Sequence, residues 1–230
     1  MRAIGTGIGM LVAVLILSGG SLSADEKDEA KELFDRVEKK LAEADTIQLT
    51  VEGKLKAGEE SGTVKATFWV AQGNKVRADI SIQGGGKTRE GSMISNGTRL
   101  KTGSPGQGFE EKDTPKHLRD NLVYTLSRLG FTASLMHPKP RDETKPQKDN
   151  IAVSGFRLDK RDRINGREVH VLHYQFALAG EEKKFDATLY IDVKTLLPVL
   201  RTVPAYGNLR EEYQYRLNEK VGEGRFDLPK

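Results

Sequence analysis

The sequence predicts an α+β fold: one large, curved antiparallel sheet of about 10–11 strands, with helices covering its concave face. In most of the chain, apolar residues alternate with polar ones, which is typical of antiparallel strands with one wet face. Turn signals such as Gly73-Asn74 and Asn96-Gly97 separate these runs. The chain lacks the strand–helix–strand alternation of a parallel sheet, which disfavours a doubly wound fold.

The first 24 residues have the layout of a secretory signal peptide. Arg2 precedes an apolar run from Ile8 to Leu17, and small and polar residues follow up to Ala24. The run is about ten residues long, whereas a membrane span needs ~20. We expect cleavage near Ala24, with a cut after Ser23 or a retained anchor as the alternatives. The prediction is then a periplasmic protein with a single domain over residues 25–230.

Composition excludes several classes of function. The chain has no cysteine, so an exported domain must be stabilised without disulfides, and thiol catalysis and thiolate metal sites are excluded. The formal net charge is +4, with acidic and basic residues interleaved along the chain. Proteins that bind nucleic acid concentrate their basic residues in patches. We therefore expect no nucleic-acid partner.

The first half of the domain is predicted to be one helix followed by a meander of strands. The helix covers Asp25 to Ala44, because acidic residues occupy its first turn, lysines its last, and apolar residues recur at helical spacing. The predicted strands are Ile47 to Leu55, Val64 to Val70, Val76 to Ile82, Lys87 to Ser95 and Thr98 to Thr102. Residues 103–108 are predicted to be a loop.

The second half repeats this order. A helical stretch begins at Pro115, with one apolar side formed by Leu118, Leu122, Leu126, Leu129 and Met136. The charged, proline-containing segment from His137 to Asn150 is predicted to be an exposed loop. Strands resume at Ile151 and are predicted over Arg167 to Leu178, Lys183 to Asp192, Leu196 to Val203 and Leu209 to Asn218, before a closing segment from Phe226 to Pro229.

Motifs that would indicate chemistry are weak. The run from Gly84 to Thr88 lacks the first glycine of a phosphate-binding loop, because Ser81 stands in its place, and no helix follows. His170 and His173 are three residues apart on a strand, so they point to opposite faces and cannot share a metal without a bulge. We expect no metal, no cofactor and no enzyme. A glycosidase-type carboxylate pair from distant strands is left open.

Asp192 lies in the sequence Asp-x-x-Thr-x-Leu-Pro, which raises the alternatives of a catalytic acid or a turn. The residue alternates with the apolar Leu189 and Ile191, and polar residues follow it. We predict a turn between two strands. Pro198 is tolerated only at an edge or beside a bulge, because it donates no ladder hydrogen bond.

The remaining candidate site is apolar. Seven side chains on alternating strand positions are predicted to line a cavity for an apolar ligand: Leu55, Phe68, Ile80, Leu172, Phe176, Leu189 and Tyr213. The alternative interpretation is that each packs in an ordinary core against the helices.

Four segments resemble one family. The helix over 25–44 runs into a strand, and "TFWVAQGNKVRADI" (67–80) gives a strand, a short turn and a strand that contains Arg77. "SMISNGTRLKT" (92–102) forms a hairpin phrase. "LYIDVKTLLPVLRT" (189–202) is followed by "REEYQYRLNE" and "RFDLP". Together these resemble the LolA-like periplasmic lipoprotein carriers in the wide sense, including outer-membrane lipoprotein-sorting domains and RseB-type sensor domains.

The resemblance implies an unclosed barrel with a helical lid over a cavity that holds the acyl chains of lipids or lipoproteins. It also implies transfer partners at the inner or outer membrane, and Arg77 as a polar candidate of the lid or of its strand. Some carriers have an arginine that is proposed to lock the lid, where this chain has Gln72. The expected function is therefore a carrier. The alternative is a non-enzymatic envelope sensor on the same scaffold that recognises lipid or a partner protein.

Overall fold

The computed structural model describes residues 24–57, 60–104, 106–136, 150–178 and 181–229. The predicted signal peptide, apart from its last residue, lies outside the described residues. The same holds for residues 137–149 of the predicted exposed loop. Within the described ranges, no helix is both long enough and apolar enough to cross a membrane.

Eleven strands form one antiparallel sheet. They are β1 (Thr46–Ala57), β2 (Glu60–Ala71), β3 (Lys75–Gly84), β4 (Lys87–Asn96), β5 (Arg99–Ser104), β6 (Gly108–Asp113), β7 (Ile151–Ile164), β8 (Arg167–Leu178), β9 (Phe185–Asp192), β10 (Pro198–Val203) and β11 (Leu209–Leu217). Their order across the sheet is β6-β5-β4-β3-β2-β1-β11-β10-β9-β8-β7. The two halves of the chain therefore meet where β1 pairs with β11. In the described part of the chain the sheet is not closed, and the predicted fold class is confirmed.

Three helices accompany the sheet: α1 (Ala24–Glu43), α2 (Leu118–Arg128) and α3 (Phe131–Met136). The prediction of α1 is confirmed, but the single helical stretch predicted from Pro115 is two helices. Gly130 separates them with a φ of +84°, in the left-handed region that favours glycine. A Cβ at Gly130 would lie 2.2 Å from Glu211 Oε2, so the close approach to the sheet also requires glycine.

The predicted loop over residues 103–108 is wrong at both ends. β5 continues to Ser104, and β6 begins at Gly108 and pairs with β5 along its length. β6 is an edge strand that is exposed at almost every position. A strand that is exposed to solvent on both faces does not need apolar residues at alternate positions. The alternating pattern that predicted the other strands is therefore missing here.

The turn at Asp192 is a local backbone feature. Asp192 Oδ1 accepts hydrogen bonds from the backbone N–H groups of Lys194, at 2.9 Å, and Thr195, at 2.8 Å. The pairing of β9 with β10 shifts register between Pro198 and Leu200, so of the two predicted settings for the proline, an edge or a bulge, the structure has the irregular pairing of a bulge.

The two faces of the sheet have different neighbours. The main core lies between one face, which we call the covered face, and the three helices. Phe34 of α1, for example, packs on Phe156 and Tyr174, each at 5.2 Å between ring centroids. On the opposite face the C-terminal segment crosses the strands, and the Arg225 guanidinium lies 4.3 Å from the centroid of the Trp69 ring.

Candidate apolar site beneath the helices

All seven predicted cavity residues lie on the covered face, as their registers show: Leu55, Phe68, Ile80, Leu172, Phe176, Leu189 and Tyr213. All but Leu55 and Ile80 are at most 4% exposed. Leu55 and Ile80 are half-buried, toward the end of the sheet where Ile82 is 37% exposed. The structure therefore brings the seven residues together on one surface.

The helices fill most of the space above this surface. The apolar cavity that remains beneath α1 and α2 has a volume of only about 10 Å³, room for about one water molecule, and is lined by Leu41, Ile47, Leu49, Phe68, Val70, Val123, Leu126 and Tyr215. Sites for drug-sized ligands have volumes of ~300–1,000 Å³. A long acyl chain can therefore reach the covered face only if helices move.

A buried ion pair joins α1 to α2. Glu38 accepts hydrogen bonds from Arg128 in a bidentate arrangement, with 2.6 Å from Nε to Oε1 and 2.9 Å from Nη2 to Oε2. The Ser127 hydroxyl also donates to Glu38, at 3.0 Å. Arg128 Nη1 donates to the carbonyl of Ile151, at 2.9 Å, so the pair is anchored to the edge strand β7. Paired, well-directed groups of this kind fix the orientation of two helices.

A second arginine of α2 holds the end of α1. Arg119 Nη2 donates to the carbonyls of Ala42, at 3.0 Å, and Ala44, at 2.6 Å, where the helix dipole favours a cation. Gln72 Nε2 donates to the same Ala44 carbonyl, at 3.5 Å. The guanidinium that binds the end of α1 therefore comes from α2, and Gln72 makes one amide contact beside it.

Arg77, the polar candidate from the resemblance, does not contact the helices. It lies on the opposite face of β3, where its Nε donates to Asp79 Oδ2 at 2.9 Å. Asp79 also accepts a hydrogen bond from Ser92, at 2.9 Å. The hydrogen bonds described above, between the helices and at the end of α1, come from other residues.

A third polar contact, after those of Arg128 and Arg119, joins the helices to the sheet. It is an ion pair on the sheet beneath the α2–α3 junction. Arg201 of β10 donates to the carbonyls of Leu126, at 3.2 Å, and Ser127, while Glu211 of β11 accepts the backbone N–H of Thr132. Arg201 is 1% exposed and Glu211 is fully buried, with 4.0 Å between Nη1 and Oε2. The cation thus lies at the carbonyl end of α2, and the carboxylate lies at the amide end of α3.

The described residues place most of their buried polar side chains at this interface. Apart from Ser95 and Asp192, the buried polar residues all lie between helices and sheet or between helices: Glu38, Arg119, Thr125, Ser127, Arg128, Thr132, Arg201 and Glu211. None of these buried polar positions was predicted from the sequence. A usable signal was present, because Glu211 alternates with Tyr213 and Tyr215 on an otherwise apolar face of β11.

Buried tyrosines surround the Arg201–Glu211 pair and predict sensitivity to alkaline pH. Burial raises the pKa of Tyr174 to about 12, although the Arg201 charge lowers it. The folded state then favours protonated Tyr174, so its contribution is complete below about pH 10, the unfolded pKa, and is lost as pH rises from about 10 to 12. We expect the wild type to lose up to about 3 kcal/mol more than Tyr174→Phe across this range.

Chemical denaturation at several pH values measures this difference. The matched control is Tyr190→Phe, the same substitution on the opposite face of β9, away from the Arg201–Glu211 pair. A Tyr174→Phe curve parallel to the wild-type curve would show that Tyr174 does not control alkaline stability.

One hydrogen-bonded row resembles a catalytic triad and was not predicted. Thr188 Oγ1 lies 3.0 Å from His173 Nδ1, and His173 Nε2 lies 2.7 Å from Asp159 Oδ2. The row lies across the opposite face of β7, β8 and β9. The pairing of β9 with both neighbours engages its backbone N–H groups in the ladders, so they do not form an oxyanion hole beside Thr188. No cluster of three or more metal-ligating side chains is found among the described residues.

Comparison with known proteins gives matches in structure only. No family model matches this chain, and no curated protein matches it. LprF from Mycobacterium bovis superposes with a TM-score of 0.50 at 11% identity, covering 85% of this chain and 95% of LprF. The lipoprotein LppX from Mycobacterium tuberculosis has the same TM-score and identity, covering 85% of this chain and 98% of LppX. This chain has the fold of LprF and LppX.

A LolA superfamily protein from Nitrosomonas europaea is also among the matches, with a TM-score of 0.38 at 10% identity, covering 86% of this chain and 97% of that protein. The fold that the resemblance implies, one unclosed sheet with helices over it, is the fold of the described part of this chain. At these identities the matches show the fold of the chain and not its ligand.

Proposed function

We propose that this chain is a binding or carrier protein of the periplasm that holds the acyl chains of a lipid or lipoprotein against the covered face. The observation that carries the proposal is the contrast between the two surfaces of the site. The covered face of the sheet is broadly apolar, whereas the helices above it are fixed by two buried ion pairs and a row of hydrogen bonds. We call α2 and α3 together the lid.

This contrast supports a mechanism in which a ligand takes the place of the lid on the covered face. Apolar burial contributes about 25 cal/mol per Å², so an acyl chain can replace the apolar contacts of the lid with similar energy. Hydrogen bonds contribute little net free energy when both partners find water or other groups after separation. A lid held in this way can open when a ligand replaces both its apolar and its polar contacts, and it can close again when the ligand leaves. Transfer partners at the inner or outer membrane would supply and accept the ligand.

Uptake of a fluorescent fatty acid by delipidated protein tests the proposal, with a matched pair of variants on β3. Ile80 lies on the covered face and Ser81 on the opposite face, and both are half-buried. Ile80→Glu is expected to weaken uptake about tenfold or more, because it places a charge on the apolar surface. Ser81→Glu introduces the same charge one residue away and should bind as the wild type does.

Native mass spectrometry of protein purified from its own envelope gives a second reading. Co-purified acylated molecules are expected. The proposal would be contradicted if the purified protein carried no ligand and took up no fatty acid, while Ile80→Glu and Ser81→Glu were both folded. That result would favour the alternative of a sensor that recognises a partner protein.

A further inference from the structure

The Arg201–Glu211 pair places one cation and one anion side by side on an otherwise apolar face. Arg201 also lies over the rings of Tyr174 and Tyr213, with its guanidinium carbon 5.9 and 5.8 Å from their centroids. The Tyr213 hydroxyl donates to Glu211 at 2.5 Å. The two charges are therefore enclosed by aromatic and apolar groups, where each needs polar partners.

In the closed structure those partners are peptide groups of the lid. The cation contacts the carbonyl oxygens of Leu126 and Ser127, and the carboxylate contacts the N–H of Thr132. The pair thus binds one kind of chemical group, the amide, through both its acceptor and its donor. The closed lid leaves two hydrogen-bonding groups at this site unsatisfied, because Arg201 Nε and Thr132 Oγ1 are buried and have no hydrogen-bond partner.

Movement of the lid would remove these partners and leave the pair in apolar surroundings. A ligand that binds there gains most if it supplies an acceptor for Arg201 and a donor for Glu211 together. An amide supplies both, whereas an ester supplies only an acceptor. A free carboxylate would be repelled by Glu211, and an amine cation would be repelled by Arg201.

We propose that the Arg201–Glu211 pair binds an amide group of the ligand, so that the preferred ligands are acyl chains joined to an amino group or peptide rather than esters or free fatty acids. The lid junction then occupies this amide site in the closed protein and is displaced by the ligand. This inference rests on the proposed binding of acyl chains to the covered face.

Competition between two isosteric ligands tests it in the unchanged protein. N-methyl dodecanamide and methyl dodecanoate have the same acyl chain and differ in one position, where the amide has an N–H group and the ester has an oxygen atom. Each ligand is used to displace a fluorescent fatty acid. The amide is expected to compete at about a tenfold lower concentration, because it makes one additional hydrogen bond to a charged group. Equal potency of the two ligands would overturn the inference and leave the proposed acyl binding intact.

A double variant, Arg201→Met with Glu211→Leu, then assigns the preference to the pair. It removes both charges together and so leaves no unpaired buried charge. The variant is expected to bind both ligands, with their ratio of affinities reduced to about one. Retention of the amide preference would place the recognition elsewhere. If neither ligand binds to the wild type, the proposed function fails and the inference fails with it.

Discussion

A disulfide between β1 and α3 is expected to abolish the uptake of acyl chains. Gly53→Cys combined with Thr132→Cys places the bond where a Cβ at Gly53 would lie 3.3 Å from Thr132 Cβ. Disulfides join Cβ atoms about 3.5–4.5 Å apart, so a shift of a few tenths of an ångström is sufficient. The chain has no cysteine of its own, so no other disulfide can form within it. The bond would tie α3 to the covered face.

Fluorescent fatty-acid binding, measured before and after reduction, gives the result. The oxidised protein should bind at least about tenfold more weakly than the same sample after reduction. Each single variant, which cannot form the bond, controls for the substitutions themselves. Equal uptake by the oxidised and reduced forms would show that a ligand reaches the site without moving α3.

Glu211→Leu is expected to lower the free energy of unfolding by about 3–5 kcal/mol. The substitution leaves the buried Arg201 cation without its carboxylate, and it leaves the N–H of Thr132 without its acceptor. A buried charge that loses its partner cannot be rehydrated without opening the lid. The matched control is Glu212→Leu, the next residue, which is paired with Arg210 at the surface and should change stability by less than about 1 kcal/mol.

Addition of Arg201→Met to Glu211→Leu should restore most of the lost stability, because neutral side chains of similar volume then fill the site. Denaturant unfolding of the four proteins of this double-mutant cycle measures the coupling. A Glu211→Leu protein as stable as the Glu212→Leu control would show that the pair does not hold the lid.

The break between α2 and α3 explains why charges of opposite sign lie side by side on the sheet beneath it. Arg201 lies at the last carbonyls of α2 and Glu211 at the first amides of α3. Each charge therefore stabilises peptide groups at a helix end on one side of the break at Gly130, where helix ends leave carbonyl and N–H groups without a helical partner. The contacts of Arg201 and Glu211 with the lid therefore lie at the junction of α2 and α3. Movement of the lid at this junction breaks these contacts together.

The order of strands and helices was predictable from local patterns. Alternation such as that of Val64, Ala66 and Phe68, with turns such as Asn96-Gly97, depends on neighbours in the chain, and β1 to β5 were located in this way. β6 was missed because Gly108 to Asp113 is exposed on both faces. The break at Gly130 was missed because apolar residues continue at helical spacing across it.

By itself, the sequence determined the fold class and the membership of the apolar face, because period-two alternation records which side of each strand is buried. Only the tertiary structure decided that the helices fill the predicted cavity and that Arg201 and Glu211 meet beneath Gly130. The contacts of Arg201 with Ser127 and of Glu211 with Thr132 join residues more than 70 positions apart. They depend on the pairing of β1 with β11 and on the return of α2 and α3 over the sheet, which no local pattern encodes.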